Sequence, residues 1–300
     1  MEPIFTDAAL QEEFARRGFT KARLLSREAA AGLGAAIEEA RRGSSGESCT
    51  AGLDQSFCTT DADYRKRVDA LGAAAIEQPL LALLRGYRLV ASGAMIKLAG
   101  GSAMAIHRDR HVLADPEGVI VNAWCPLVDM AVGLGNLALL PGSHRLGNIE
   151  TNGVHRFYEP YGDRLKPLCV SFPLEAGEAV LFDNRVLHWS HPNERQTARP
   201  VLRCVAAPAE GQLVFYRPDA ASGGRRFELL DAEAESPVAH SPDDFVEGRV
   251  AAIHLGYVEN TNREIGFAEC RDAALRAEGL PAHSPVKRAM AAVGTLIGLR

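Results

Sequence analysis

Apolar residues in the first third of the chain recur at helical spacing. Leu10 and Phe14 open the pattern after Asp7, and Leu24, Leu25, Leu33 and Ile37 continue it. The run Gly18, Phe19, Thr20 breaks the period, so two helices are predicted. Ser26 caps the second, with Glu28 in its first turn, where a carboxylate meets unpaired N–H groups. Residues 61–85 resume the spacing through Tyr64, Val68, Leu71, Ile76, Leu80, Leu81 and Leu84, and Gly86 ends this third helix. Between these helices, 42–60 is rich in Gly, Ser and Thr without a hydrophobic period, and reads as a loop able to fold over a site.

Beyond Tyr87 the texture changes to short apolar runs punctuated by Gly, Pro, Asn and Asp. The runs are Val119 to Val121, Leu137 to Leu140, Cys169 to Phe172, Ala179 to Phe182 and Val201 to Val205. Many short strands separated by turns predict a sandwich or barrel. The expected fold is mostly β with flanking helices: an eight-stranded double-stranded β-helix, or jelly roll, with one open mouth and the amino-terminal helices packed outside. One domain over 1–300 is expected. Its parts are a helical stretch at 1–86, a core at 87–208, and a segment at 209–300 that completes or covers the core. Within the last segment 212–216 and 248–257 read as strands, and 271–278 and 286–299 as helices. The apolar stripe Val286, Met290, Val293, Ile297 suits packing on the barrel better than a membrane or partner.

Composition narrows the function. A chain of 300 residues that is 47% hydrophobic buries a core without covalent staples. The net charge of −5 gives no global attraction for nucleic acid or anionic membranes, so a small molecule is the default partner. Oligomeric state is left open. Six cysteines are scattered without a C-x-x-C pair, which fits free thiols in a reducing compartment. With no basic-then-apolar leader and no apolar run of eighteen, a cytoplasmic protein is expected.

The candidate chemistry starts at His107, Arg108, Asp109, Arg110 and His111, read as the continuation of a strand. Residues two apart on a strand share a face, which puts His107 and Asp109 about 7 Å apart at Cα, spaced to hold one cation. His111 shares that face but lies about 13 Å from His107, too far to reach the same ion. A third ligand must come from elsewhere. Two histidines and one carboxylate leave open positions on a metal, as in non-haem iron(II) oxygenases. The alternative is a polar edge strand with alternating charge.

Further pieces follow in order: Trp124 to Leu127, Gly135 to His144, Gly177 to Phe182, His188 to Asn193, and Arg199. With His107 and Asp109, this ordered set resembles the phytanoyl-CoA dioxygenase family of iron(II)- and 2-oxoglutarate-dependent oxygenases, from about Phe14 to Pro208. The resemblance implies that His107, Asp109 and His188 hold Fe(II) and that Arg199, eleven residues after His188, pairs with the distal carboxylate of 2-oxoglutarate. An arginine suits that carboxylate because its planar fork binds it through two hydrogen bonds. Arg203 competes for the role, and strand parity does not separate the two. His191 competes with His188, but the turn signal Pro192, Asn193 should carry it to the rim.

By the same resemblance Trp124 lies near the cosubstrate, with Asn122 on the same strand face, and His144 sits in a turn near the substrate mouth. His111 and Lys97 become candidates for touching substrate if the strand runs unbroken through Gly100 and Gly101. The implied reaction consumes O2 and 2-oxoglutarate, releases succinate and CO2, and hydroxylates or otherwise oxidises an aliphatic C–H bond of a small metabolite. The carboxylate at Asp109 argues against halogenation, since the related halogenases replace it. Competing readings on the same fold are a zinc hydrolase, a cupin-type isomerase, or a silent metal-binding protein. None of these needs a cation at Arg199. Two turn-rich stretches, 42–60 and 151–164, are expected to order over the mouth.

Overall fold

The structure, a computed structural model, describes residues 2–44, 49–150, 157–233, 248–249 and 251–281. Polar caps set the starts of the first helices. The Asp7 carboxylate accepts from the N–H groups of Ala9 and Leu10 at the head of α1 (Ala8–Arg17). Ser26 caps α2 (Arg27–Arg42) through the Ala29 N–H, and Asp61 caps α3 (Ala62–Leu81) through that of Tyr64. The break at Gly18 leads into a strand, β1 (Phe19–Arg23). Helix α3 stops at Leu81, short of Gly86, because the chain there is claimed by the amino terminus: Leu84 bridges Phe5 and the Arg85 N–H donates to the Ile4 carbonyl.

Two short strands, β2 (Cys49–Thr50) and β3 (Leu53–Gln55), precede α3. Eight more follow it: β4 (Tyr87–Lys97), β5 (Met104–His107), β6 (Val121–Pro126), β7 (Leu137–Leu139), β8 (Val170–Ser171), β9 (Glu178–Asp183), β10 (His188–Ser190) and β11 (Arg199–Pro208). These form a larger sheet in the order β1-β9-β6-β11-β4-β3-β2 and a smaller one in the order β5-β10-β7-β8, with antiparallel pairing throughout. From β4 to β11 the chain passes back and forth between the sheets, which is the winding of a jelly roll.

Alternation along β11 explains why both faces are occupied. Val201 points inward to Met95, Trp124, Val180 and Phe182 between the sheets. Leu202, Cys204 and Ala206 point outward, under Val68, Ile76 and Leu80 of α3 and the apolar sides of α1 and α2. Gly72 lets α3 sit directly on the sheet, since a Cβ there would lie 2.3 Å from Ser92 Oγ and 2.9 Å from a Leu202 methyl. The smaller sheet is covered on its outside by the short α4 (Gly162–Leu165) and by α5 (Phe267–Ala277), whose Cys270, Ala273 and Ala274 pack with Ala138, Leu187 and Trp189. A third sheet, β12 (Val214–Pro218), β13 (Arg226–Asp231) and β14 (His254–Glu259), lies beyond β11.

Several local expectations change. The stretch 42–60 is not a plain loop, because β3 fills the edge that β4 leaves open at Met95 to Lys97. Strand β5 ends at His107 and does not run on to His111. Strand β13 was not anticipated, since its RFELLD sequence lacks clean alternation, and β14 starts at His254 rather than 248. The carboxy-terminal helix begins at Phe267, four residues before 271. The helix expected at 286–299, and 151–156 of the second covering stretch, lie outside the described residues. Among the described residues no helix is long and apolar enough to cross a membrane.

Candidate active site

The site grows from the pairing of β5 with β10, which sets His188 opposite His107 with ring centroids 4.2 Å apart. After His107 the backbone turns out of the sheet: the Asp109 N–H donates to the Asn184 carbonyl and that of His111 to the Glu150 carbonyl. This turn brings Asp109 back toward the two imidazoles. One ligand atom from each of His107, Asp109 and His188 lies within 4.8 Å of the others. Donors around one ion at about 2 Å stand up to about 4 Å apart, so a small closure completes the set.

Each imidazole donates its Nδ1 hydrogen to the carbonyl two residues earlier, Ala105 at 2.8 Å and Val186 at 2.9 Å. That fixes the tautomer and leaves each Nε2 lone pair for a metal. Burial, and then the neighbouring His188, push His107 down to about 4, so no proton has to leave it at neutral pH. Burial would raise Asp109, but the Arg203 guanidinium and the two imidazoles outweigh it and hold the carboxyl down at about 2.

Arg199 lies in the same cavity, of about 340 Å³, as the triad. It is 1% exposed, its Nε and Nη1 have no hydrogen-bond partner among the described residues, and its guanidinium stands 5.1 Å from the Trp124 ring centroid. Burial lowers it to about 9. Across the β11–β4 register its partner is Lys97, also fully buried, whose Nζ donates to Ser190 Oγ and the His191 carbonyl, both at 2.7 Å. Gly135, at φ +77°, closes over both: a Cβ there would lie 2.8 Å from Lys97 Cδ and 3.6 Å from Arg199 Nε. A buried guanidinium with unpartnered nitrogens beside a buried lysine makes a pocket shaped for an anion. The donor set and this anion pocket fit iron(II) with a dicarboxylate cosubstrate.

Arg203 is placed differently. Its Nη2 lies 3.2 Å from Asp109 Oδ2 and donates to Asn122 Oδ1 at 2.8 Å. Thus Asn122 steadies the arginine that faces the Asp109 carboxylate, while Trp124 walls the cavity beside Arg199.

Three sequence candidates for substrate contact are not at the metal cavity. His111 follows the turn away from the ligand face, and its Nε2 donates to the Asp115 carbonyl beside the Tyr216 ring. His144 packs against Gly18 in a separate cleft with Asp183 and Arg185, because Pro141 and Gly142 lead into a 3-10 turn on the outside of the barrel. Lys97 does point between the sheets, but to Ser190 and the His191 carbonyl beside Arg199. His191 stacks on Trp189, 4.2 Å between centroids, outside the triad. Ser190 was overlooked, although it lies two residues after His188 and so shares its strand face.

Residues 20–201, more than half of the chain, match the phytanoyl-CoA dioxygenase family. No curated protein matches. Among solved structures the chain is similar to the non-heme alpha-ketoglutarate-dependent carbocyclase SnoK from nogalamycin biosynthesis, at 18% identity and TM-score 0.54, covering 71% of this chain and 89% of that one. It is also similar to the epimerase SnoN in complex with Fe3+, alpha-ketoglutarate and nogalamycin RO, at 21% identity and TM-score 0.53, covering 68% and 84%. At these identities the likeness establishes the jelly-roll fold. Joined to the family match and the clustered His-Asp-His donors, it leads to one conclusion: the chain belongs to the phytanoyl-CoA dioxygenase family and is a 2-oxoglutarate-dependent non-haem iron enzyme.

Proposed function

We propose that His107, Asp109 and His188 hold Fe(II), that Arg199 anchors the distal carboxylate of 2-oxoglutarate, and that the protein oxidises an aliphatic C–H bond of a small metabolite, releasing succinate and CO2. The observation that carries this reading is Arg199: a buried guanidinium with unpartnered nitrogens, in the cavity of the triad. Lys97 and Ser190 add a charge and a hydroxyl at the same end, and Trp124 forms the wall. Asn122 holds Arg203, which orients Asp109. Iron(II) held by His107, Asp109 and His188 would supply the redox chemistry that couples decarboxylation of 2-oxoglutarate to oxidation of the substrate by O2. A hydrolase, an isomerase or a silent metal binder gives no reason for an unpaired cation here.

The phosphates of an acyl-CoA substrate call for a cluster of cations at the mouth; Arg110 and Arg203 line the cavity, but two further candidates are engaged elsewhere. Arg108 is spent on the carbonyls of Ser143, Gly147 and Asn148, and Arg145 lines the separate cleft on the barrel's outside. SnoK and SnoN, a carbocyclase and an epimerase, show that the fold serves outcomes other than hydroxylation, so the ligand set alone does not fix the product. The test is succinate release from 2-oxoglutarate with Fe(II) and O2. It should be measurable as slow uncoupled turnover, absent in His188→Ala, and stimulated by a small metabolite. No succinate from the wild type, together with hydrolysis supported by zinc alone, would favour the competing class.

A further inference from the structure

A second chamber, of about 290 Å³, adjoins the metal cavity, and Phe57, Asp109, Arg110 and Arg203 line both. Its position follows from the inner face of β11. Arg199, Val201, Arg203 and Val205 point the same way, so Arg203 stands about 13 Å from Arg199 along the strand. A cosubstrate reaching from the triad to Arg199 extends away from Val205. The chamber lies on the Val205 side, beyond Arg203, where the reacting molecule has room.

Its walls are mainly hydrocarbon. Phe57, Ala91, Ile120 and Val205 form the sides, and Leu213 and Phe215 the roof, closed by Ala232 whose N–H donates to the Leu213 carbonyl. The roof comes from β12, the residue before it and the residue after β13, outside the residues matched by the family. Polar groups line it at the metal side, in Asn122, Asn184 and the Asp109–Arg203 pair, and Ser56, Arg65 and Ser92 line it as well. Such a chamber, at the small end of the roughly 300–1,000 Å³ usual for ligand pockets, takes one compact moiety.

We propose that this chamber receives a compact hydrocarbon part of the substrate, of about two fused rings, and that the carboxy-terminal sheet thereby selects the substrate. The proposal rests on the iron and 2-oxoglutarate reading for the identity of the neighbouring site. Burial of apolar surface holds the moiety, and the polar rim turns its functional groups toward Asp109.

The test is calorimetry on the full chain, alone and with Ni(II) and 2-oxoglutarate, using 2-naphthol and glucose as probes. 2-Naphthol should bind at least tenfold more tightly than glucose. Ala232→Leu and Ala91→Leu, which fill the chamber, should weaken it tenfold or more and leave 2-oxoglutarate binding unchanged. Phe215→Ala should improve binding of the three-ring 2-anthrol by a similar factor. If Ala232→Leu does not fold, Ala91→Leu at its half-buried position decides. Equal binding of 2-naphthol and glucose, or 2-naphthol binding untouched by Ala91→Leu, would overturn the proposal. Failure of the wild type to bind 2-oxoglutarate would strike the iron reading instead, and the naphthol result on the unloaded protein would still decide the chamber.

Discussion

A guanidinium sealed from water without a counter-charge costs several kcal/mol, and Arg199 bears that cost in the unliganded protein. A carboxylate that relieves it gains the same energy. Arg199→Ala should therefore raise the KM for 2-oxoglutarate by about 30- to 1,000-fold, corresponding to about 2–4 kcal/mol, whereas Arg203→Ala should chiefly weaken metal binding by loosening Asp109. Kinetics with varied 2-oxoglutarate and varied Fe(II) separate the two. Lys97 gives a pH signature. Burial, and then the adjacent Arg199, lower it to about 7 from its ordinary 10.5. Between about pH 7 and 10.5 the unfolded chain binds a proton that the folded one does not, so stability of the unliganded protein rises with pH there and is flat below. An arriving carboxylate draws Lys97 back toward its charged form, so binding takes up a proton and affinity for 2-oxoglutarate falls as pH rises above about 7. Lys97→Met should abolish that slope in calorimetric titrations. At this scale the H-x-D spacing made His107 and Asp109 legible as a pair of donors. The fate of His111 was not legible, because the turn after His107 is fixed by carbonyls of Asn184 and Glu150, distant in sequence.

Elements that carry the site are held by what packs behind them. Strand β4, which presents Lys97, is backed by α3, and the Asp69 carboxylate accepts from the Ser92 N–H on the part of the strand edge that β3 does not reach. Gly72 permits that approach. Gly72→Val should cost about 1–3 kcal/mol by overpacking, read as a lower urea midpoint at constant slope, with the ordering of substrate preferences kept. Helix starts were readable, since Asp7, Ser26 and Asp61 are local capping signals. Strand ends were not, because β3 exists only to complete the edge of β4, and α3 ends early only because Ile4 and Phe5 compete for its last residues. The resemblance implied a turn at His144 near the substrate mouth; the turn exists, at Ser143–Leu146, but His144 lies in the separate cleft on the outside of the barrel.

The whole molecule separates stability from chemistry. Packing clusters lie between the two sheets and on their outer faces, and none depends on the triad to close. Chelation should accordingly leave the melting temperature within a few degrees, while Ni(II) with saturating 2-oxoglutarate should raise it in proportion to the logarithm of ligand concentration, measured by differential scanning fluorimetry. A sandwich or barrel was legible from short apolar runs between turns; the short strand β10 and the register that sets His188 opposite His107 were not, the latter being a property of two strands eighty residues apart. On the proposed reading His107, Asp109, His188 and Arg199 hold Fe(II) and 2-oxoglutarate together, and anaerobic absorption spectroscopy checks this. Adding 2-oxoglutarate to the Fe(II)-loaded protein should produce a weak visible metal-to-keto-acid band, absent in His188→Ala and requiring far more 2-oxoglutarate in Arg199→Ala; no band in the wild type, or one that forms in both variants at the wild-type concentration, would contradict the account.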